Sequence, residues 1–394
     1  MKKNKSLFLI FLLLLIPQIS FCSEVEDEIH EENKSLIEEQ FDKLNLSGIE
    51  NFLDNLDKTT YDYFPKISLK EFILSMIKGE NRIDGKSILI GILKIFLKEV
   101  LANITILINI LSIVIISGIL TNLQSSFETN NVSKLAYFVS YMVISIILIR
   151  SFSISLSIGK EAVDNMVNFM EIMLPPMLGL LIAVGGTTTS VMFNPLIIGT
   201  VNIVGTVIRG IIFPLIFFSF IIGLLSKISD KIQFGRLAEL IRGAAVTIIG
   251  IALTVFIGVI SMYGVASKVD GVTIRTAKFA VDKFIPIIGK FLSDAVETVV
   301  GCSAILKNAV GVIGLFALFL ICIIPVMKII SIIFLYKLTI AIIEPISGQK
   351  EIECLNEVSK SLTLILASIL SVATMFFITI TIIIEAGNAT LMLR

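Results

Sequence analysis

Tyr263–Gly314, YGVASKVDGVTIRTAKFAVDKFIPIIGKFLSDAVETVVGCSAILKNAVGVIG, lies between two long apolar runs and decides how the rest of the chain is read. It carries six basic residues, Lys268, Arg275, Lys278, Lys283, Lys290 and Lys307, and four acids, Asp270, Asp282, Asp294 and Glu297. In its first half, Ile274, Ala277, Val281 and Phe284 recur at helical spacing, opposite Arg275, Lys278 and Asp282. Pro286 and Gly289 then interrupt the pattern within Phe-Ile-Pro-Ile-Ile-Gly. A second amphipathic run follows, with Phe291, Leu292, Ala295, Val296 and Val299 opposite Lys290, Asp294 and Glu297. Two amphipathic helices joined at an apolar corner predict a hairpin over 267–308 that lies on a membrane or dips into it. Lys278 with Asp282, and Lys290 with Asp294, are one helical turn apart, so each pair can partly neutralise itself. Two uses stay open: a solvated pair of helices resting on the bilayer, or an insertion into a channel wall.

Around this insert the composition is that of a membrane protein. Hydrophobic residues make up 55% of the 394 and charged ones 16%, too apolar for an ordinary soluble domain. Apolar runs predict spans at 101–120, 135–158, 172–184, 191–208, 211–225, 244–266, 309–327 and 362–384, with an amphipathic feeder from Ile88 to Val100. The fold expected is all-α: a polytopic membrane helix bundle with a small helical extracytoplasmic N-terminal region and the amphipathic hairpin between spans. Its parts are a membrane bundle over 88–266, the hairpin over 267–308 and C-terminal spans over 309–394. Arg150 falls near the end of its span, where its long side chain can snorkel. Lys227, Lys231, Arg236 and Arg242 mark 226–243 as a cytoplasmic loop. Five crossings before that loop place the N-terminus outside, and the hairpin and C-terminus outside as well. The hairpin's six basic residues pull against that side, and a re-entrant 172–208 would invert the count after it.

The segment 172–208 is itself broken. Pro175-Pro176, Gly185-Gly186 and Asn194-Pro195 each disturb a helical run, and Thr187–Ser190 adds hydroxyls between them. Interrupted spans of this kind build binding sites near the bilayer midplane in transporters. A short turn between two spans explains the same residues.

At the start of the chain, Lys2, Lys3 and Lys5 precede an apolar run from Leu7 to Ile16, and Ser20-Phe21-Cys22 follows: the pattern of a secretory signal peptide over 1–22. Residues 23–87 hold 16 acidic and 8 basic side chains, half of all the acid in the chain. With Leu36, Ile37, Phe41, Leu44, Ile49 and Phe52 at roughly helical intervals, this region reads as a small exported helical unit, either a partner-docking domain or a solvated lid.

Catalytic patterns are absent. Gly85-Lys86-Ser87 imitates the end of a phosphate loop, but five residues rather than four separate Gly79 from Gly85 and no strand pattern precedes it. A single histidine, His30, leaves no basis for a His-built metal cluster or a Ser-His-Asp triad. Cys22, Cys302, Cys322 and Cys354 show no paired spacing. No catalytic, cofactor or metal site is expected. The basic residues are scattered rather than clustered with aromatics, so nucleic acid is not an expected partner. Asp282, Asp294 and Glu297 could serve an intramembrane enzyme only if unpaired, and lysines stand a turn away from them.

The run RTAKFAVDKFIPIIGKFLSDAVETVVGCSAILKNAVGVIG resembles the stage III sporulation protein AE family, as does LPPMLGLLIAVGGTTTSVMFNPLI upstream. The order of signal peptide, acidic region and multi-span part is similar too. The resemblance implies a multi-pass subunit, in the mother-cell membrane surrounding the forespore, of the channel linking the two cells. It also implies partners: other membrane subunits of the same complex, a secretion-type ATPase and a forespore-side protein; a homo-oligomer is a separate expectation. The rival from another class is a stand-alone permease for a small solute, using Pro175, Pro176, Gly185, Gly186, Asn194 and Pro195 as a broken-helix site. Repeated halves would favour the permease, and none is visible.

Overall fold

The computed structural model describes residues 47–54, 85–124, 130–228, 234–284, 288–345 and 348–392. These form eight α-helices: α1 Ser47–Asp54, α2 Gly85–Gln124, α3 Asn130–Ala183, α4 Thr187–Val207, α5 Phe213–Ile228, α6 Gly235–Phe284, α7 Ile288–Ile343 and α8 Gln349–Met392. A π-helical turn, Ile208–Ile212, joins α4 to α5 without a break. The described chain contains no strand. The signal-peptide pattern, His30, Cys22 and most of 23–87 lie outside the described residues.

Among the described residues, six helical stretches are long and apolar enough to cross a membrane: Ile88–Ile116, Tyr141–Ala183, Asn194–Lys227, Gly235–Met262, Thr298–Ile343 and Gln349–Asn388. This is a polytopic all-α membrane bundle. Six replaces the eight runs counted from sequence because two pairs of runs are single helices. The runs at 135–158 and 172–184 both belong to α3, which passes through Pro175 and Pro176 uninterrupted. In a bilayer no water waits to satisfy freed carbonyls, so a helix that loses two N–H donors still gains by continuing. The runs at 191–208 and 211–225 are joined through the π-turn. A proline ring strikes the carbonyl four residues back, here Gly210, and the wider π-turn around Gly210 relieves that contact with Pro214. Three crossings, like five, are odd, so the parity that set the 226–243 loop opposite the N-terminus is unchanged.

The interior is built around α7 and α8. Of their apolar windows 61% is buried inside the bundle, against 11% for α2 and 17% for α6. α8 packs on α7, α6, α3 and α5, while α2 lies along α7 and α3. Phe152 of α3 packs tilted against Phe220 of α5 with ring centroids 4.2 Å apart, and Phe96 of α2 meets Phe334 of α7 edge-on. Hydroxyls inside the helices mostly bond the carbonyl one turn back, as Ser155 to Ser151, Thr339 to Leu335 and Thr379 to Met375 do. That keeps them silent in an apolar interior.

Register fixes depth along the bundle. Tyr141 Oη donates to the Leu224 carbonyl and lies 3.0 Å from Cys354 Sγ. A Cβ at Gly159 would lie 2.7 Å from Ile365 Cγ2. Gly311 of α7 has Ile384 of α8 and Met177 of α3 as its neighbours. So α3 from about 154 to 177 runs beside α8 from 361 to 384, a stretch without a single ionisable residue.

The amphipathic segments of 267–308 are extensions of α6 and α7, running straight on from their spans rather than lying as separate surface helices. Arg275, Lys278 and Asp282 belong to α6, and Gly289, Lys290, Asp294 and Glu297 to α7; Pro286 and all of these side chains lie outside the described residues. Lys307 is fully buried, donating from Nζ to the Ile384 carbonyl at 2.6 Å. The space it fills is the one a side chain at Gly387 would need.

The turn between α3 and α4 is closed by a Schellman motif. Gly186 N–H donates to Leu181 O and Gly185 N–H to Ile182 O, both at 2.9 Å, with Gly185 at φ 103°. We expect Gly185→Val to destabilise the protein by about 1–2 kcal/mol, the left-handed penalty for an L-residue. Gly179→Ala, where a methyl group meets nothing within 4 Å, should be neutral or mildly stabilising. Thermal midpoints of the two variants in detergent check the contrast.

Candidate functional site

The exposed face of α3 carries the chemistry. From Arg150 to Glu171 the exposed positions are Arg150, Ser153, Ile154, Ser157, Lys160, Glu161, Asn165, Asn168 and Glu171, and all but Ile154 are polar. Their spacing of three and four residues makes one stripe along the helix. The opposite face, Phe152, Leu156, Val163, Met166, Val167, Phe169 and Met170, is core. α3 is therefore amphipathic along the length that runs beside the ion-free stretch of α8, with its polar side turned away from the bundle.

α4 adds to this face. Asn202, Thr206 and Arg209 follow one another at helical spacing, half-buried or exposed. Gly205 lets α4 close on α3: a Cβ there would lie 2.6 Å from Val167 Cγ2. One turn on, Arg209 pairs through Nη1 with Asp164 Oδ1, and its Nε donates to the Gly205 carbonyl at 3.1 Å. Their side chains remain 37% and 41% exposed. Arg209 sits within the π-turn, a local widening that recurs at functional positions in helices. Ionisable residues at this depth ordinarily face an interior or water and mark function.

A second charged cluster ties helix ends together. Arg242 of α6 bonds Glu357 of α8 at 2.6 Å, and Lys360 reaches the other oxygen at 3.1 Å. Lys227 of α5 bonds Glu353 at 2.8 Å. Glu351 reaches back to the Gly348 N–H at 2.7 Å, capping α8. Glu357 Oε2 lies where a side chain at Gly223 would go. These pairs fasten α5 and α6 to α8 as a structural clamp. Among the described residues no three His, Cys, Asp or Glu side chains come together as a metal site. Cys302, Cys322 and Cys354 are free thiols, all buried.

The residues singled out from the broken segment are strung along the α3–α4 hairpin. Ser190 Oγ donates to Leu178 O at 3.1 Å, and with Gly205 against Val167 this sets a register that puts Pro175-Pro176 level with Asn194-Pro195. Gly185 and Gly186 form the turn itself, at the level of the last residues of α8 rather than halfway down the bundle. Pro175 and Pro195 are exposed, and Asn194 Oδ1 is buried with no hydrogen-bond partner. Asp164 and Arg209 were not singled out from sequence. Their signal was available: an arginine between the runs ending at 208 and starting at 211.

α1, from the acidic N-terminal region, is seated on the same helix. Ile49 is buried, Phe52 meets Phe169 at 5.2 Å, and Gly48 lies against Ile172. Glu50 and Asn51 face outward, close along α3 to Glu171.

Fold and surface together define a multi-pass helical membrane protein with an ion-bearing outer face. The model of the stage III sporulation protein AE family matches residues 67–387. The stage III sporulation protein AE of Bacillus subtilis (strain 168) is 34% identical over 400 residues, covering 100% of both chains. The chain belongs to the stage III sporulation protein AE family. No solved structure matches it.

Removing one member of the Arg209–Asp164 pair leaves the other charge unpaired at bilayer depth. Arg209→Leu and Asp164→Asn should each destabilise, and the double variant should lose less than their sum, by about 1–3 kcal/mol of coupling. Midpoints of the three variants in detergent give that cycle.

Proposed function

We propose that this chain is a membrane subunit of the channel between mother cell and forespore, supporting late forespore gene expression and spore development. Membership of a sporulation family supports the setting, and that family is not a known enzyme family. The polar face of α3 is the observation that carries the subunit reading. An isolated copy would hold Lys160, Glu161 and the Asp164–Arg209 pair against lipid, at a cost of about 2.5–3.5 kcal/mol for each ion near a helix centre. A polar companion or water removes that cost, and a channel assembly offers both. In this reading the chain sits in the mother-cell membrane, its acidic region is exported, and α1 holds that region near the end of the α3 stripe. Its partners are the other membrane subunits, a secretion-type ATPase and a forespore-side protein.

A stand-alone permease has one observation in its favour: Asn194 Oδ1 lacks a partner at the level shared by Pro175, Pro176 and Pro195 of the hairpin. Against it, the polar groups of α3 point away from the bundle rather than toward an enclosed site.

Deleting the gene in its native host should arrest development after engulfment, with weak late forespore reporters; normal spores with altered solute uptake in growing cells would favour the permease. A copy with Ser153, Ser157, Asn165 and Asn168 all changed to Leu should reach the membrane at normal level yet fail to restore spores. A topology reporter fused at Lys86 is expected to be active on the exported side, and activity only in the cytoplasm would overturn the sidedness.

A further inference from the structure

We propose that copies of this chain stand side by side around a water-filled passage lined by the polar face of α3, with Lys160 of one copy against Glu161 of the next. The proposal rests on the channel reading above and names which surface does the work. Arg150 and Glu171 are 21 positions apart, about 32 Å at 1.5 Å per residue, close to the ~30 Å of a bilayer's hydrocarbon. The stripe is thus long enough to wet the membrane from one side to the other.

Charge distribution selects a second copy as the neighbour. Copies inserted the same way round in one membrane hold each residue at one depth. Self-association therefore needs opposite charges at equal depth, and α3 provides them. Lys160 and Glu161 are consecutive, both exposed, and differ in depth by only ~1.5 Å. Consecutive side chains on a helix point about 100° apart and do not meet, so neither neutralises the other within one copy. Rotated about the membrane normal, one copy's lysine can face the next copy's glutamate. Asp164 and Arg209, one turn deeper, are already paired within the chain and ask nothing of a neighbour. A partner of one sign would match only one of Lys160 and Glu161.

The remaining stripe argues for water between copies. Symmetry would press Arg150 against Arg150 and Glu171 against Glu171 in a dry contact, where like charges repel strongly; across water the repulsion is screened to about 1 kcal/mol or less. Ser153, Ser157, Asn165 and Asn168 offer neutral donors and acceptors that water satisfies. With both signs on its wall, the passage suits small hydrophilic solutes without strong selection by charge.

Two full-length, differently tagged copies, one Lys160→Cys and one Glu161→Cys, are expressed together in sporulating cells and oxidised. A disulfide-linked dimer carrying both tags is expected; the parent chain, with Cys302, Cys322 and Cys354 buried, sets the background. No dimer, or a disulfide to a protein of different mass, overturns the pairing. Lys160→Glu and Glu161→Lys should each lose heat-resistant spores, and the swapped double variant should regain them; a swap no better than the singles overturns it too. In membranes, Ser157→Cys and Asn168→Cys should react with a water-soluble thiol reagent and Ile251→Cys, exposed on the uncharged stretch of α6, should not. Equal reactivity at all three overturns the passage. Failure of the channel reading itself looks different, because the deletion strain then sporulates normally.

Discussion

A bilayer has no water to spare, and nearly every feature of this bundle follows from that. Backbone N–H and C=O groups must be satisfied within the chain, so helices run on where a soluble protein would break. α3 carries two consecutive prolines through a continuous helix. Pro214 is accommodated by a π-turn instead of a loop. Most helix hydroxyls bond the preceding turn, and at the tight connection between α3 and α4 two carbonyls of the last turn accept from glycine N–H groups. The same constraint explains Lys307. An ammonium in the interior has to find an acceptor, and it takes a backbone carbonyl of α8 at a point where Gly387 leaves room.

That constraint also gives meaning to asymmetry around the bundle. α8 between 361 and 384 and α6 between 243 and 267 contain no Asp, Glu, Lys or Arg, as lipid or an apolar interior demands. α3, at the same depth as α8, is rich in ions and amides on its outer side. Two faces of one molecule therefore prefer different surroundings. Here the inward side of α3 is filled by Phe152, Met166, Phe169 and Met170, so the polar side is free for something outside the single chain.

Much of the architecture was legible in the residues. Long apolar runs mark the helices, and the basic loop at 226–243 marks where α5 turns into α6. The misreadings share one cause. Both splits fall at charged residues, Lys160, Glu161, Asp164 and Glu171 between 158 and 172 and Arg209 between 208 and 211, which end an apolar run read by composition although the helix continues through them. The same splitting hid the site. Arg209 fell into the gap between two supposed spans and so was never weighed as an ion inside one. Asp164, Lys160 and Glu161 fell between the runs 135–158 and 172–184 and passed as a connecting loop. Only the register against α8, set by Gly159 on Ile365 and by Gly311 between Met177 and Ile384, shows how deep they lie. No local pattern carries that information, because it depends on which helices become neighbours.

The two ionic groups make the same point from opposite directions. Glu357 is held by Arg242 and Lys360, with the carboxylate and the arginine 12% and 16% exposed, among three helices that it fastens together. Its partners are complete, so it speaks for stability. Asp164 and Arg209 are paired yet two-fifths open, and Lys160 and Glu161 beside them face outward on consecutive positions. Ions left half-open at bilayer depth cost free energy in a lone molecule and cease to do so once water or an opposite charge covers them. A stability requirement would have replaced them with leucine or closed them as Glu357 is closed. Their openness is what the proposed contact with a second copy would use.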